Sequence, residues 1–191
     1  MIGTDLRGKA CLVTGSSRGI GAAVARGFGG CGMRVAVHYR GARDEAVQVR
    51  ADIVDAGGEA IVLQGDVSVP GVVESLIEQT AVAFGRIDVL VNNAADLLER
   101  RRVAETDDAL FDQHVALNIR PVFAACRAVV RQFRAQGGGG TIINLSSIAA
   151  RTGGGGGSSL YAGSKAFVAT FSRALAKEVA ADGIRVNCVA P

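Results

Sequence analysis

The sequence lacks the long apolar runs and paired cysteines that mark membrane or disulfide-rich secreted proteins. No apolar run approaches the roughly 18 residues that a membrane-spanning helix needs. The opening residues MIGTDLRGKA have no apolar centre of the kind found in secretory signals. The four cysteines lie far apart, without the spacing of a disulfide framework or a zinc site. We therefore expect a soluble, cytoplasmic protein with no membrane partner and with structural cysteines.

A strong excess of charge of one sign is also absent, and histidine is scarce. The formal net charge is +3 over 191 residues, and the arginines are interspersed with acidic residues, so nucleic acid is not an expected partner. The two histidines, His38 and His114, have no partner at metal-ligand spacing, which favours structural roles and no metal site. At this length and 49% hydrophobic content, the chain predicts one domain over residues 1–191.

The sequence does contain a regular alternation of short apolar runs and longer helical patterns. The runs are apolar throughout, which is typical of parallel strands covered on both faces. This pattern predicts an α/β fold with a doubly wound parallel sheet and helices on both faces, a Rossmann fold, with its ligand at the carboxyl ends of the strands. The predicted strands are residues 10–15, 34–39, 60–65, 87–93, 141–147 and 184–190, and the predicted helices are residues 20–28, 44–56, 72–84, 107–135 and 161–181.

The turn between the first strand and the first helix carries three glycines, in CLVTGSSRGIG at residues 11–21. Gly15, Gly19 and Gly21 occupy the crossover, where glycine lets the backbone approach a ligand closely. The N-terminus of the following helix adds a partial positive charge that favours an anion. The spacing therefore indicates a phosphate-binding turn.

Further motifs follow this turn along the whole chain. They are Asp66 in GDVS, NNA at 92–94, Asn118 in LNIRP, NLSS at 144–147, YAGSK at 161–165, and RVNCVAP at the end. With TGSSRGIG, they resemble the short-chain dehydrogenase/reductase family, in particular its 3-oxoacyl reductase and glucose dehydrogenase-like members. The resemblance implies an NAD(P)-dependent oxidoreductase that reduces a small-molecule ketone to an alcohol, reversibly, by hydride transfer.

The end of the second strand bears on the choice of cofactor. NAD-preferring relatives carry an acid where this chain has Tyr39, and Arg40 follows. Arg18 is a second cation that suits a 2′-phosphate, so NADP(H) is preferred and NAD(H) remains an alternative. The resemblance implies these cofactor-binding residues: Gly15, Ser17, Arg18, Gly19, Ile20, Gly21, Tyr39, Arg40, Asp66, Val67, Asn93, Ala94, Tyr161 and Lys165.

The catalytic residues implied by the resemblance are Asn118, Ser147, Tyr161 and Lys165. Tyr161 and Lys165 are four residues apart on one helix, so the ammonium lies near the phenol and favours its ionised form. Tyr161 would transfer a proton to the substrate oxygen, and Ser147 would hydrogen-bond the same oxygen. Ser147 lies fourteen residues before Tyr161, one more than is usual in the family, so Ser146 stays an alternative.

Asn118 is expected in an irregular stretch of helix. Pro121 cannot donate a helical hydrogen bond, so the turn around Asn118 should be distorted and leave a carbonyl free. In the resembled mechanism, Asn118 anchors a water that relays protons to Lys165.

Two other functions stay open at this point. One is an NAD-dependent alcohol or sugar dehydrogenase, and the other is a non-catalytic nucleotide-binding regulator on the same fold. Family members usually continue beyond the equivalent of Pro191 with a substrate loop and a seventh strand. We therefore expect a C-terminally incomplete domain whose last strand, 184–190, lies at a sheet edge.

The resemblance also implies a homodimer or homotetramer. The predicted interface consists of the helices at 107–135 and 161–181. Small residues on the second helix would permit close helix approach, although packing against the protein's own sheet explains them equally well; these residues are Ala162, Ala166 and Ala169.

Overall fold

The computed structural model describes residues 5–191, which form one six-stranded parallel sheet with helices on both faces. Residues 1–4, part of the opening segment without a secretory pattern, lie outside the described residues. The strands are β1 Ala10–Val13, β2 Arg34–Tyr39, β3 Glu59–Gln64, β4 Val89–Asn92, β5 Gly140–Leu145 and β6 Ile184–Val189. Their order, β3-β2-β1-β4-β5-β6, is that of a doubly wound dinucleotide-binding sheet, so the predicted fold class is confirmed. β6 lies at one edge of this sheet, as predicted.

The helices occupy the predicted connections, with one exception described below. A left-handed glycine flanks each end of the third helix, Gly71 before it and Gly85 after it. Short 3₁₀ turns cover Val103–Glu105 and Ala180–Asp182. The α-helices are α1 Gly19–Gly30, α2 Arg43–Asp55, α3 Val72–Phe84, α4 Asp108–His114, α5 Arg120–Gln136, α6 Ala149–Thr152 and α7 Ser159–Glu178.

The single helix predicted over residues 107–135 is wrong. The chain instead forms α4, a π-helical turn over Val115–Ile119, and α5. Pro121 lies in the first turn of α5 and has no N–H to continue the ladder of α4, which explains the break. The irregular backbone predicted around Asn118 is therefore confirmed. The helix α6 was not predicted.

The sheet separates two apolar cores. Along β1, Ala10 and Leu12 point to one side and Cys11 and Val13 to the other, and all four are fully buried. α3, α5 and α7 cover the first side, and α1 and α2 cover the second. Burial on both faces explains why the strand sequences are apolar throughout rather than alternating.

All four cysteines are free thiols, and burial raises the pKa of the Cys126 thiol to about 12. Burial also raises the pKa of Cys11. Both thiols are therefore protonated and unreactive at neutral pH.

Within the described residues, no helix combines the length and apolarity needed to cross a membrane.

Candidate active site

A cavity of about 760 Å³ lies along the carboxyl ends of the strands. Its volume is within the roughly 300–1,000 Å³ range of small-molecule and cofactor sites. Two predicted site residues, Gly21 and Asn118, are absent from its lining. The others line it together: Gly15, Ser17, Arg18, Gly19, Ile20, Tyr39, Arg40, Asp66, Val67, Asn93, Ala94, Ser147, Tyr161 and Lys165.

The glycine turn between β1 and α1 forms one wall of the cavity. Gly15 and Gly19 have φ values of +63° and +56°, a left-handed conformation that glycine adopts without strain. Gly21 is buried behind the turn, where a Cβ would collide with the Gly15 carbonyl and lie 2.5 Å from the Asn93 side-chain nitrogen. A Cβ at Gly19 would meet no protein atom within 4 Å. Gly21 thus permits close packing of the turn, while Gly19 leaves its backbone accessible.

Side chains from two strand ends brace this turn. The Thr14 hydroxyl accepts hydrogen bonds from the backbone N–H groups of Asn93 (3.0 Å) and Ala94 (3.1 Å). The Asn93 amide in turn donates to the carbonyls of Thr14 (2.9 Å) and Gly15 (3.0 Å). The Asn93 side chain therefore holds the turn in place, a role that was not predicted for it.

Arginines from the end of β2 and from the start of α1 line one end of the cavity. Tyr39 ends the strand and is buried, and the exposed Arg40 follows it. Arg18 lines the same cavity as the residue before α1. The strand end carries no carboxylate, as the sequence indicated, but Glu45 in the first turn of α2 also lines the cavity. Glu45 was not predicted, because it lies beyond the strand end, in the first turn of the next helix.

Asp66 follows β3 at the same end of the cavity. One of its carboxylate oxygens accepts bonds from the Ser68 hydroxyl (2.6 Å) and the Ser68 N–H (3.0 Å). The Ser68 hydroxyl bond is the largest influence lowering the pKa of Asp66, and the nearby charge of Arg40 contributes. The carboxylate is thus ionised at neutral pH and accepts hydrogen bonds only.

The opposite end of the cavity holds Tyr161 and Lys165 on α7. The Lys165 Nζ lies 5.7 Å from the centre of the Tyr161 ring and donates a 2.8 Å bond to the Leu145 carbonyl at the end of β5. Burial lowers the pKa of Lys165 from 10.5 to about 8. The amine is therefore largely charged at pH 7, and the predicted proximity of cation and phenol is present.

The two adjacent serines after β5 differ in their contacts. Ser146 is buried and its hydroxyl donates a 2.8 Å bond to the Lys165 carbonyl. The Ser147 hydroxyl accepts a 3.2 Å bond from the Ala149 N–H, which uses an oxygen lone pair and not its proton. Both residues line the cavity. The Ser147 O–H can therefore be donated to a ligand, whereas that of Ser146 is used within the protein.

Asn118 lies behind the cavity, in the π-helical turn. Its side chain accepts a 3.0 Å bond from the Asp96 N–H and donates to the Asp96 carbonyl at 2.9 Å. The same amide lies 3.2 Å from Nδ1 of His114, whose pKa is lowered by burial. Leu117, one residue earlier, lines the cavity. The side chain of Asn118 thus fixes the loop after β4, and any ligand contact would come from its backbone.

Several lining residues were not predicted. Ala95, Asp96 and Leu117 line the cavity near Asn118, and Leu145 and Pro191 line it at the ends of β5 and β6. Strand order alone identifies Leu145 and Pro191, because the carboxyl ends of neighbouring parallel strands meet at one edge. His38, expected to be structural, is buried and hydrogen-bonded, and it also lines the cavity.

The residues present fit an anionic dinucleotide. The accessible backbone at Gly19, the N-terminus of α1 and the cations of Arg18 and Arg40 suit phosphate groups. The cavity continues from this cationic end to Tyr161 and Lys165. The cavity thus joins an end that suits phosphate groups to an end that carries a phenol and an ammonium group.

Comparison with known proteins agrees with this geometry. The family model described as short chain dehydrogenase matches residues 9–191. A 3-oxoacyl-[acyl-carrier-protein] reductase of Synechocystis sp. is 41% identical, over 98% of this chain and 75% of its own length. The 3beta-hydroxysteroid dehydrogenase 1 of Eggerthella lenta is 39% identical, over 98% of this chain and 71% of its own length.

Solved structures show the same similarity. A short chain dehydrogenase from Burkholderia cenocepacia in complex with NADP has a TM-score of 0.91 and 37% identity, over 97% of this chain and 74% of that chain. The NADH-dependent reductase A1-R′ complexed with NAD has a TM-score of 0.95 and 34% identity, over 100% and 80%. The chain therefore belongs to the short-chain dehydrogenase/reductase family and is an NAD(P)-dependent oxidoreductase acting on alcohol and carbonyl groups.

Proposed function

We propose that this protein reduces a ketone to a secondary alcohol with NADPH, reversibly, through Ser147, Tyr161, Lys165 and Asn118. The observation that carries the proposal is the continuity of the cavity from Arg18 and Arg40 at one end to the serine, tyrosine and lysine at the other. A cavity that bound a nucleotide without catalysing a reaction would need only the first end.

The cofactor would be held by the glycine turn, Arg18, Arg40 and Asp66, and it supplies the hydride when bound. The preference for NADPH rests on the two arginines and on Tyr39 at the position of the usual acid. Glu45 at the same end favours NADH instead, because its carboxylate would repel a 2′-phosphate. NADH is therefore the competing cofactor that the experiment below must include.

Tyr161 would donate the proton that the substrate oxygen gains. The ordinary pKa of tyrosine is about 10, so useful proton transfer near pH 7 needs stabilisation of the phenolate. The Lys165 ammonium, 5.7 Å from the ring centre, supplies a positive charge for that purpose. Its bond to the Leu145 carbonyl fixes the amine at this position. Charge on the substrate oxygen would be met by the Ser147 hydroxyl as a fixed donor.

Asn118 would act from behind the cavity, as a positioning residue. Its side chain is committed to Asp96, so it holds the loop after β4 against the π-helical turn. We propose that its backbone carbonyl anchors a water near Lys165, as in the resembled mechanism. The distorted backbone over Val115–Ile119 supports it, because such turns leave carbonyls without their usual helical partner.

The proposed substrates are ketones and secondary alcohols. The two relatives described above are named for a 3-oxoacyl group, which is a ketone, and a 3β-hydroxysteroid, which is a secondary alcohol, and reduction converts the first type of group into the second. The experiment measures NADPH and NADH oxidation with a panel of 3-oxoacyl thioesters, steroid ketones, sugars and quinones. We expect ketone-dependent oxidation, faster with NADPH at equal concentration. Cofactor binding with no reduction of any ketone would instead favour a nucleotide-binding regulator.

We also propose that the single domain assembles as a homodimer or homotetramer through α5 and α7. Phe123 on α5 and Phe167 on α7 are 44% and 38% exposed, and both pack on Phe171. These aromatic rings support an interface better than the small residues of the prediction, because Ala162 is buried within its own chain. Light scattering at micromolar concentration should return a dimer or tetramer, and Phe167→Glu should shift it toward the monomer. A wild-type monomer would overturn this proposal.

A further inference from the structure

The imidazole of His38 links two separate parts of the cofactor site. His38 lies in β2, and only 2% of its surface is exposed. Its Nδ1 accepts a 2.8 Å hydrogen bond from the Gly15 N–H in the glycine turn. Its Nε2 lies 3.0 Å from the carbonyl of Gly65, the residue before Asp66. One ring therefore joins the turn after β1 to the turn after β3.

These partners determine the protonation state of the ring. A backbone N–H can only donate, so Nδ1 must be an unprotonated acceptor. A carbonyl can only accept, so Nε2 must carry the proton. The neutral ring with its proton on Nε2 satisfies both bonds. A doubly protonated ring would direct its Nδ1–H at the Gly15 N–H, and that bond would be lost.

The backbone of His38 strengthens the same connection. The Ser16 N–H donates to the His38 carbonyl at 2.8 Å, and the His38 N–H donates to the Ser16 hydroxyl at 2.9 Å. That hydroxyl donates in turn to the Val13 carbonyl at the end of β1. These bonds tie the glycine turn to β2 whatever the state of the ring. Protonation is therefore expected to disturb Gly15 locally and not to unfold the turn.

We propose that His38 is a positioning residue for the dinucleotide, whose neutral imidazole aligns the glycine turn with the Asp66 turn and whose protonation weakens cofactor binding. This inference rests on the proposed use of a dinucleotide, and it concerns the binding step alone. The residue touches the turns and not the reacting atoms, so its effect appears in the dissociation constant of the cofactor.

The charged groups around the ring decide the pH at which this happens. Asp66 follows the Gly65 partner, and its charge favours the protonated ring. Arg18, Arg40 and Glu45 line the same cavity. Burial outweighs Asp66 and the Gly65 bond, and lowers the pKa of His38 below its usual 6.5. The ring is therefore neutral at pH 7, and cofactor binding should weaken only as the pH falls toward the pKa of His38 and below it.

The first experiment uses the wild-type protein without cofactor. Long-range ¹H–¹⁵N NMR spectra distinguish the two neutral forms of each histidine ring. The chain has two histidines, so spectra of His114→Asn assign both signals. We expect His38 to carry its proton on Nε2 at about pH 7.5. A proton on Nδ1, or on both nitrogens at that pH, would overturn the inference without reference to any activity.

The second experiment measures NADP⁺ and NAD⁺ binding by calorimetry between about pH 5 and pH 7.5. The 2′-phosphate of NADP⁺ itself titrates near pH 6, so wild type is compared with His38→Asn and His114→Asn, which share that contribution. We expect the dissociation constant of wild type and His114→Asn to rise toward tenfold per pH unit below the pKa of His38. His38→Asn should show weaker binding at pH 7.5 and a smaller change with pH.

Two outcomes separate this inference from the proposed reaction. A His38→Asn protein that follows the pH profile of wild type would overturn the role of His38 while leaving ketone reduction untouched. Ketone reduction that fails in every assay, with the pH effect on binding intact, would overturn the reaction and leave His38 as proposed. If His38→Asn does not fold, His38→Gln replaces it, and the NMR experiment decides the ring state with no substitution at this position.

Discussion

The two ends of the cavity are built on different physical principles. At the cofactor end, Thr14, His38 and Asn93 hold the glycine turn by neutral hydrogen bonds that are satisfied within the protein. At the catalytic end, a buried Lys165 ammonium lies beside the Tyr161 ring, and burial lowers the pKa of Lys165 to about 8. The first arrangement stabilises the fold, whereas the second costs free energy of folding. Loss of these hydrogen bonds at the cofactor end should therefore lower stability, whereas removal of the buried charge at the catalytic end should raise it.

A large effect on turnover is expected from one of the two serines at the catalytic end. Ser147→Ala should lower kcat by roughly 10²–10³-fold, the loss typical of removing one oxyanion donor. Ser146→Ala is the matched control, because its hydroxyl bonds the Lys165 carbonyl, and it should mainly lower stability. Steady-state ketone reduction and urea unfolding of both variants test this. A larger loss of kcat in Ser146→Ala would reverse the assignment.

The cofactor end is tested by a pair of glycines in α1. Gly21→Ala should cost roughly 1–3 kcal/mol of folding free energy and weaken cofactor binding, because its Cβ collides with the Gly15 carbonyl and Asn93. Gly27 lies in the same helix, and a Cβ there meets no atom within 4 Å. Gly27→Ala should therefore be neutral or stabilise by up to about 1 kcal/mol. Equal unfolding free energies for the two variants would show that the turn is not closely packed.

A charge reversal at the cofactor end tests the choice between NADPH and NADH. Arg40→Asp should weaken NADPH at least tenfold more than NADH, because it places a like charge near the 2′-phosphate, a difference of about 1.4 kcal/mol. Arg43→Asp makes the same charge change on an exposed residue outside the cavity lining, and it should weaken both cofactors little. Fluorescence titrations with both cofactors provide the comparison. Equal losses of affinity for NADPH and NADH in Arg40→Asp would show that Arg40 does not determine the cofactor preference.

The smallest effect expected is a gain of stability at the catalytic end. Lys165→Met should stabilise the fold by about 1 kcal/mol at pH 7, since it removes a buried charge. The pKa of Lys165 is about 8 folded and 10.5 unfolded, so the wild type gains stability as the pH rises from 8 to 10.5 and loses that gain as the pH falls back to 8. The advantage of Lys165→Met should shrink over that range. Urea unfolding of both proteins at pH 7 and at a pH between the two pKa values tests this prediction. A Lys165→Met protein that is less stable than wild type at both would contradict this account.

The parts of the site that could be predicted are those encoded by short spacings. The glycine turn and the pair Tyr161 and Lys165 are each set by local geometry, and the cavity brings Gly15 and Gly19 together with that pair. The support of the turn by Asn93 could not be predicted, because it bonds Thr14 across 79 residues and requires the β1–β4 pairing. The bridge formed by His38 likewise depends on β1 and β3 flanking β2.

The break between α4 and α5 shows the limit of periodicity. The apolar pattern continues through residues 107–135, so it predicts one helix. Pro121 indicated that the ladder would be distorted near Asn118, but not that a π-helical turn would separate two helices. The bonds of Asn118 to Asp96 stabilise that turn, and they join elements that sequence patterns treat independently.

The most direct test of the central claim is a single-turnover measurement of hydride transfer in wild type and Tyr161→Phe. Each protein is loaded with NADPH and mixed rapidly with a ketone that the wild type accepts, and the loss of NADPH is followed. If Tyr161 donates the proton, both proteins bind NADPH with similar affinity, and transfer in Tyr161→Phe is slower by roughly 10²–10⁴-fold. Transfer in Tyr161→Phe at a rate close to that of wild type would contradict the account.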